Sequence, residues 1–283
     1  MRKRSEKTPR VPAVPLAKGV SIGGGRPLVF FLGPCAIEGL DVSLRAARFL
    51  RRAAERAGVP LVFKSSYDKA NRSALRNFRG PGLEEGLRVL RAVKEETGLP
   101  VISDVHEAWQ AVPAAEVLDV LQVPAFLCRQ TDLLLACGRT GRPVNVKKGQ
   151  WMAPEDMGNV RDKIASTGNR KVLLCERGTA FGYRNLVVDM RSLPTMRSLG
   201  QPVVYDAGHS VQRPGGLGRA SGGDRGMILH LARAAVAVGV DGVFLECHED
   251  PDRALSDGPN SFPLREVPRL LDALLAVDAA ARG

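Results

Sequence analysis

Residues 63–82 concentrate side chains suited to binding a phosphorylated small molecule. The segment carries five cations and interleaves them with amide and hydroxyl groups: Lys64, Lys69, Arg72, Arg76 and Arg79, with Asn71 and Ser73. Arg and Lys donors pair strongly with phosphate and carboxylate oxygens, because charge-assisted hydrogen bonds are short and those of Arg can be bidentate. The alternative is a solvated basic loop, the usual explanation of a charge run. Ligand binding is favoured here because the segment directly follows an apolar run at residues 61–63.

Polar and ionisable residues follow the other apolar runs of the chain as well. The runs lie at residues 28–32, 61–63, 101–102, 117–123, 144–146, 171–174, 203–205 and 242–245. The residues that follow them are Cys35 with Glu38, Lys64, Asp104 with His106, Gln122 with Arg129, Lys147 with Lys148, Glu176 with Arg177, Asp206 with His209, and Glu246 with His248. Burying unpaired charge is costly, so such a cluster indicates a site for charged ligands or a metal ion.

The order of apolar runs predicts the elements that would position these residues. Segments with helical periodicity separate the runs, and Gly58-Val59-Pro60 and Gly98-Leu99-Pro100 each end one such segment before a strand. Eight strands alternating with eight helices predict a single-domain (β/α)8 TIM barrel, an α/β fold of about 250 residues that places catalytic groups at the carboxyl ends of its strands. A doubly wound open sheet is the alternative, but it does not require eight units.

The N-terminal residues and the composition narrow the class of protein further. Residues 1–26 are basic and contain Pro12, Pro15 and several glycines, so we interpret them as a tail or a covering strand, and 27–283 as the catalytic barrel. No run approaches the roughly 20 apolar residues of a membrane-spanning helix, and no continuous apolar core of a secretory signal is present. The 5 cysteines form no CxxC pair and leave an odd one. This usage predicts a cytoplasmic enzyme.

A formal net charge of +11 also raises the possibility of nucleic-acid binding. Excess positive charge does favour phosphate backbones non-specifically. However, aromatic residues are few, no nucleic-acid motif occurs, and the basic residues are scattered or stand at predicted strand ends. We therefore expect neither a nucleic-acid nor a membrane partner, and attribute the charge to anionic substrates and an Arg-rich composition.

Several strings of the sequence resemble 3-deoxy-D-manno-octulosonate 8-phosphate synthase. They include GPCAIE at 33–38, FKSSYDKANRS at 63–73, FLCRQTDLL at 126–134, NVKKGQ at 145–150 and FGYRNLVVDMRSLP at 181–194. The resemblance implies condensation of phosphoenolpyruvate with D-arabinose 5-phosphate and water, with release of inorganic phosphate, in Kdo biosynthesis for lipopolysaccharide. It also implies a (β/α)8 barrel that assembles as a homotetramer.

Two other functions are weighed against this one. 3-Deoxy-D-arabino-heptulosonate 7-phosphate synthase, which uses erythrose 4-phosphate, shares similar strings but has a segment like KPRTS where this chain has KANRS at 69–73. That difference implies that Asn71, Arg72 and Ser73 hold arabinose 5-phosphate. A binding barrel without catalysis would require a missing catalytic position, and none is evident.

The same resemblance implies the remaining substrate contacts. The groups around phosphoenolpyruvate would be Lys64, Lys69, Lys147, Arg177 and Arg129, and Arg129 is expected to reach the site of a neighbouring subunit. Asp104, His106 and Gln122 complete the predicted substrate-binding set. For any one of these cations the ordinary alternative is a surface salt bridge, which contributes little.

Cys35 decides whether a metal ion is expected, because the family divides into a metal-dependent form with Cys at this position and a metal-independent form with Asn. The resemblance implies a metal site of Cys35, His209, Glu246 and Asp257, and a catalytic set of Cys35, Lys69, His209 and Asp257. A thiolate, an imidazole and two carboxylates suit Fe, Mn, Zn or Co better than Mg or Ca. Taken alone, Cys35 would more often be a small buried hydrophobe. His248 is a reserve ligand, since it lies two residues after Glu246 and shares its side of a strand.

Overall fold

The computed structural model describes residues 11–72, 74–216, 218 and 221–282. Within them, eight parallel strands pair in sequence order: β1 Val29–Gly33, β2 Leu61–Lys64, β3 Val101–Asp104, β4 Val120–Val123, β5 Val144–Lys147, β6 Val172–Glu176, β7 Val203–Asp206 and β8 Gly242–His248. Strand β8 pairs with both β7 and β1, which closes the sheet. The predicted (β/α)8 barrel is confirmed.

The eight main helices follow these strands in order around the barrel. They are α1 Leu40–Ala57, α2 Leu83–Thr97, α3 Ala111–Val117, α4 Thr131–Arg139, α5 Met157–Ala165, α6 Ser192–Ser198, α7 Ile228–Val238 and α8 Val267–Arg282. None of the described helices is both long and apolar enough to cross a membrane.

Local sequence explains where these elements begin and end. Gly58 and Gly98 end α1 and α2 in the left-handed conformation, with φ of 66° and 69°, as the two Gly-x-Pro strings predict. The apolar run at 117–123 is divided, because α3 ends at Val117 and β4 begins only at Val120. All residues of the barrel strands are buried, since helices cover the sheet from outside and side chains fill it from within.

The described part of the N-terminal segment forms an antiparallel hairpin, Val14–Ala17 with Val20–Ile22. Its Val14, Leu16 and Ile22 are buried in the cluster that fills the barrel interior, together with residues such as Phe31 and Phe244. A Cβ added to Gly242, the first residue of β8, would lie 3.0 Å from Ile22 Cδ1, so the hairpin covers the amino ends of the strands. The opposite, carboxyl end is left open. Residues 1–10 lie outside the described residues.

Candidate active site

A cavity of about 700 Å³ opens at the carboxyl ends of the barrel strands. Its walls come from loops that follow different strands, as expected for a barrel of this type. Nine of the residues predicted for the site line it: Lys69, Asn71, Arg72, Asp104, His106, Lys147, Arg177, His209 and Asp257. The structure thus brings together side chains that are almost 190 residues apart in the chain.

A buried carboxylate beneath the cavity lining pairs with two ammonium groups, of which only that of Lys69 belongs to a residue lining the cavity. Glu246 Oε1 accepts hydrogen bonds from Lys64 Nζ at 2.5 Å and from Lys69 Nζ at 3.3 Å, and Lys64 also donates to the Cys35 carbonyl at 2.8 Å. Burial alone would raise the pKa of Glu246, but the charges of Lys64 and Lys69 outweigh it and hold the pKa well below its ordinary value. Lys64, although predicted to touch substrate, lies beneath the cavity lining and is fully buried.

Asp104 is fixed by hydrogen bonds at both of its carboxylate oxygens. Ser66 donates to Oδ2 and Gln122 to Oδ1, each at 2.5 Å, and Asn145 donates to Gln122 Oε1 at 2.9 Å. Burial would raise the pKa of Asp104, but Lys69 and Lys64 lower it below its ordinary range. Gln122 therefore orients Asp104 from below the cavity and does not line it.

Asp206 joins a predicted substrate lysine to a predicted metal ligand. Its Oδ2 lies 2.6 Å from Lys147 Nζ and 2.8 Å from His209 Nδ1, and its Oδ1 accepts the backbone N–H of His209 at 3.0 Å. Burial disfavours the Lys147 ammonium, but Asp206 outweighs this effect and raises the pKa of Lys147. Because Nδ1 of His209 faces Asp206, its Nε2 faces Glu246 and Asp257, at 3.8 and 4.0 Å from their Oε2 and Oδ2 atoms.

Arg177 presents a buried guanidinium to the cavity. Its NH2 donates to Gln212 Oε1 at 2.9 Å, whereas its NH1 is buried and has no hydrogen-bond partner among the described residues. His106 also lines the cavity with a buried Nδ1 that has none among them, and burial lowers the pKa of its imidazole. Unpaired buried polar atoms of this kind are costly, so these two groups are suited to complete their bonds with a bound molecule.

Cys35, Glu246 and Asp257 form the one group in the described part of the chain whose ligand atoms lie close enough together to hold a metal ion. Their ligand atoms all lie within 4.8 Å of one another, and Glu246 Oε2 is buried without a hydrogen-bond partner there. Burial, followed by the charge of Glu246, raises the pKa of the Cys35 thiol to about 12, so a bound metal ion would have to displace its proton. The unused carboxylate oxygen, the nearby Nε2 of His209 and the thiol together fit a thiophilic divalent ion.

The loop that carries Asp257 is hydrogen-bonded both to Cys35 and to Arg72. Cys35 Sγ donates to Ser256 Oγ at 3.0 Å, and Arg72 NH1 donates to the same hydroxyl at 2.9 Å. Asp257 is one of two non-glycine residues with positive φ among the described residues, at 50°, a conformation that costs backbone energy and recurs at functional sites. Ser256 and Gln212 were missed by sequence reasoning, because a serine or glutamine in a loop carries no signal of its own.

Three expectations fall outside this arrangement. Arg129 is exposed and does not line the cavity of its own chain. His248 Nε2 lies 3.4 Å from Glu38 Oε2, and its Nδ1 accepts the backbone N–H of Asp250, so the reserve ligand is not part of the metal-binding group. Ser73 lies outside the described residues.

A closed (β/α)8 barrel with buried cations around one cavity defines a protein built to bind small anionic molecules. The family model described as the DAHP synthetase I family matches residues 6–281. The chain is 60% identical over 263 residues to a 2-dehydro-3-deoxyphosphooctonate aldolase of Trichlorobacter lovleyi, covering 93% of this chain and 97% of the relative. Relatives of the same name from Geobacter metallireducens and Geobacter sulfurreducens are each 61% identical, over 92% of this chain and 96% of theirs. The chain belongs to the DAHP synthetase I family.

Replacing the buried carboxylate of Glu246 should destabilise the fold. We expect Glu246→Gln to lower the free energy of unfolding of the metal-free protein by about 3 kcal/mol, because it leaves the Lys64 ammonium buried without its counter-charge. The matched control is Glu249→Gln, which removes an exposed ion pair with Arg45 and should leave stability nearly unchanged. Urea unfolding measures the free energy of unfolding of both variants. Equal values for Glu246→Gln and Glu249→Gln would show that Lys64 does not need Glu246 as its counter-charge.

Proposed function

We propose that this chain condenses phosphoenolpyruvate with D-arabinose 5-phosphate and water to give 3-deoxy-D-manno-octulosonate 8-phosphate and inorganic phosphate, in Kdo biosynthesis. The carrying observation is the convergence of Lys69, Lys147 and Arg177 on one cavity above the group Cys35, Glu246 and Asp257. The relatives at about 60% identity bear another name of the same synthase, which supports the five-carbon acceptor.

Phosphoenolpyruvate would be held through its carboxylate and its phosphate. Lys69, Lys147 and Arg177 are nine-tenths or more buried, so their charges act on a bound anion with little screening by water. Lys147 Nζ also lies 3.9 Å from the centre of the Phe244 ring, which limits its position. With both anionic ends paired, the enol carbon stays free to attack.

The acceptor would enter on the side of Asn71 and Arg72, which line the cavity from the loop after β2. Arg72 already contacts Ser256 and lies 3.7 Å from Asp257 Oδ2, so the proposed phosphate clamp and the metal-binding loop meet at this point. Ser73 would complete the clamp. His106 offers a further polar contact to substrate.

The residues that would hold a divalent metal ion are Cys35, His209, Glu246 and Asp257, and the mixed sulfur, nitrogen and oxygen set favours Fe, Mn, Zn or Co. When bound, such an ion supplies Lewis-acid polarisation of the acceptor aldehyde. The chain's own contribution is to hold the reactants in line, with Asp206 fixing His209 and the two lysines fixing Glu246.

In the proposed reaction a carbon–carbon bond forms between the enol carbon and the aldehyde carbon. Water adds at the second carbon of phosphoenolpyruvate, and phosphate leaves with cleavage of the carbon–oxygen bond. Binding both substrates in one enclosed cavity turns their encounter into an intramolecular step, which is a large source of rate enhancement. Asp104, held by Ser66 and Gln122, and His106 line the cavity beside which the reactants would lie.

We further propose a cytoplasmic location, supported by 5 cysteines that are all free and buried.

The first test compares acceptors. Phosphate release from phosphoenolpyruvate should proceed with a kcat/KM at least tenfold higher for arabinose 5-phosphate than for erythrose 4-phosphate, a difference of about 1.4 kcal/mol. Phosphoenolpyruvate alone is the control for simple hydrolysis. A preference for erythrose 4-phosphate would assign the chain to the seven-carbon synthase instead.

The second test concerns the metal. Chelation should abolish turnover, and Mn or Fe should restore it. Changes to residues that only support metal ligands typically weaken metal binding about 10- to 100-fold, and Cys35→Ala should weaken it by more than that. Cys137→Ala is the control, because it removes another buried thiol, from α4. Metal content is measured by elemental analysis alongside activity. Full-rate turnover by wild-type enzyme shown to be metal-free would overturn the metal site.

The third test concerns assembly. We propose a homotetramer in which Arg129, exposed in the single chain, reaches the cavity of a neighbour. Arg129→Ala and Lys69→Ala chains should each be inactive alone and regain activity when mixed, since some cavities then combine an intact Lys69 with an intact Arg129. The control takes each variant alone through the same subunit-exchange procedure. No gain in mixed oligomers verified by native mass spectrometry would refute shared sites.

A further inference from the structure

The adjacent lysines Lys147 and Lys148 of NVKKGQ have different surroundings. Lys147 lines the cavity, whereas Lys148 is fully buried and does not. Successive residues of an extended chain point to opposite sides, so the second lysine turns away from the ligand and between two loops. Its partner in the structure is Glu176, which ends β6 and is 1% exposed.

The ammonium of Lys148 connects the loop after β5 to the loop after β6. Its Nζ donates to the Met152 carbonyl at 3.3 Å and to Thr179 Oγ1 at 3.0 Å, and it lies 3.6 Å from Glu176 Oε1. The backbone N–H of Ala180 also donates to the Gln150 carbonyl at 2.8 Å. The first loop begins at the residue after Lys147, and the second carries Arg177.

Glu176 fixes the backbone that presents Arg177. Its Oε1 accepts the N–H of Arg177 at 2.9 Å and the N–H of Gly178 at 2.7 Å. Gly178 has a φ of 96°, so the chain turns sharply at this point. One carboxylate oxygen therefore receives two backbone N–H groups of the Arg177 loop and faces the ammonium from the Lys147 loop.

Stability alone is a poor explanation of this buried pair. Desolvating two charges is expensive, and apolar replacements of buried ion pairs are often neutral or stabilising. Orientation is the better explanation, because a displacement of about 1 Å at a binding group can cost about a hundredfold in rate. A rigid link between the two loops would keep Lys147 and Arg177 at a fixed separation.

We propose that Lys148 and Glu176 are positioning residues that hold Lys147 and Arg177 against the same anion. The proposal rests on the proposed function, since it takes that anion to be phosphoenolpyruvate. It predicts that loss of the link weakens binding of phosphoenolpyruvate and leaves binding of the acceptor phosphate, on the Arg72 side of the cavity, unchanged.

The test uses Lys148→Met, which keeps the length of the side chain and removes its charge. Calorimetric titration without acceptor should show that the Kd for phosphoenolpyruvate rises by at least about tenfold. Steady-state kinetics should give a KM for arabinose 5-phosphate within about twofold of wild type. The control is Lys171→Met. Lys171 lies just before β6, is exposed and donates to the Gly141 carbonyl, so its replacement should change neither constant.

Each outcome has a defined meaning. Wild-type protein that binds no phosphoenolpyruvate overturns the proposed function, whereas wild type and folded Lys148→Met that bind it equally overturn the link. Equal weakening toward both substrates also overturns it, because that pattern indicates general loosening of the site. If Lys148→Met does not fold, Thr179→Val removes only the hydroxyl acceptor of Lys148. An unchanged Kd for phosphoenolpyruvate in that variant then contradicts the proposal.

Discussion

Every feature of the site depends on the need to compensate ionised groups that are removed from water. Glu246 on β8 is paired with Lys64 on β2 and with Lys69 in the loop beyond it. Neither charge could be buried alone, because the desolvation cost of an isolated ion exceeds what a domain can sustain. The partners come from separate strands, so only the closed barrel brings them together. Fold and site are therefore mutually dependent.

This compensation leaves particular atoms unused, and these atoms define what the cavity can bind. Glu246 engages the lysines through Oε1 and leaves Oε2 buried without a hydrogen bond, and Arg177 leaves NH1 in the same condition within the described chain. The left-handed backbone at Asp257 adds local strain. Such costs are typical of sites whose polar groups are preorganised for a ligand rather than for one another.

Much of this architecture could be predicted from the sequence. Gly-x-Pro strings that end helical segments, and the apolar runs that follow them, indicate helix and strand boundaries, and polar residues after the runs indicate the open end of the barrel. The predicted run at 117–123 was wrong at its start, since periodicity cannot separate the last apolar turn of α3 from β4. The N-terminal segment was predicted as a tail or a covering strand, and its hairpin is fixed by burial of Ile22, which only the tertiary structure shows.

The finer assignments could not come from sequence because they depend on orientation. Lys147 and Lys148 are the same residue type at adjacent positions, yet one faces the cavity and the other joins two loops. Ser256 meets Cys35 across 221 positions of sequence separation, and no local pattern marks it. Arg129 was placed at the site by resemblance, and in the single chain it is exposed outside the cavity, so the proposed contact with substrate would require a neighbouring subunit.

The proposed reaction forms its new bonds at the carbon atoms of phosphoenolpyruvate, so the phosphate must leave with the bridging oxygen. The most direct measurement follows oxygen-18 placed between the second carbon and the phosphorus of phosphoenolpyruvate during turnover with arabinose 5-phosphate. We expect mass spectrometry to show an unlabelled eight-carbon acid phosphate and the label in the released inorganic phosphate. Label retained in the organic product would show cleavage at phosphorus and would contradict the proposed reaction.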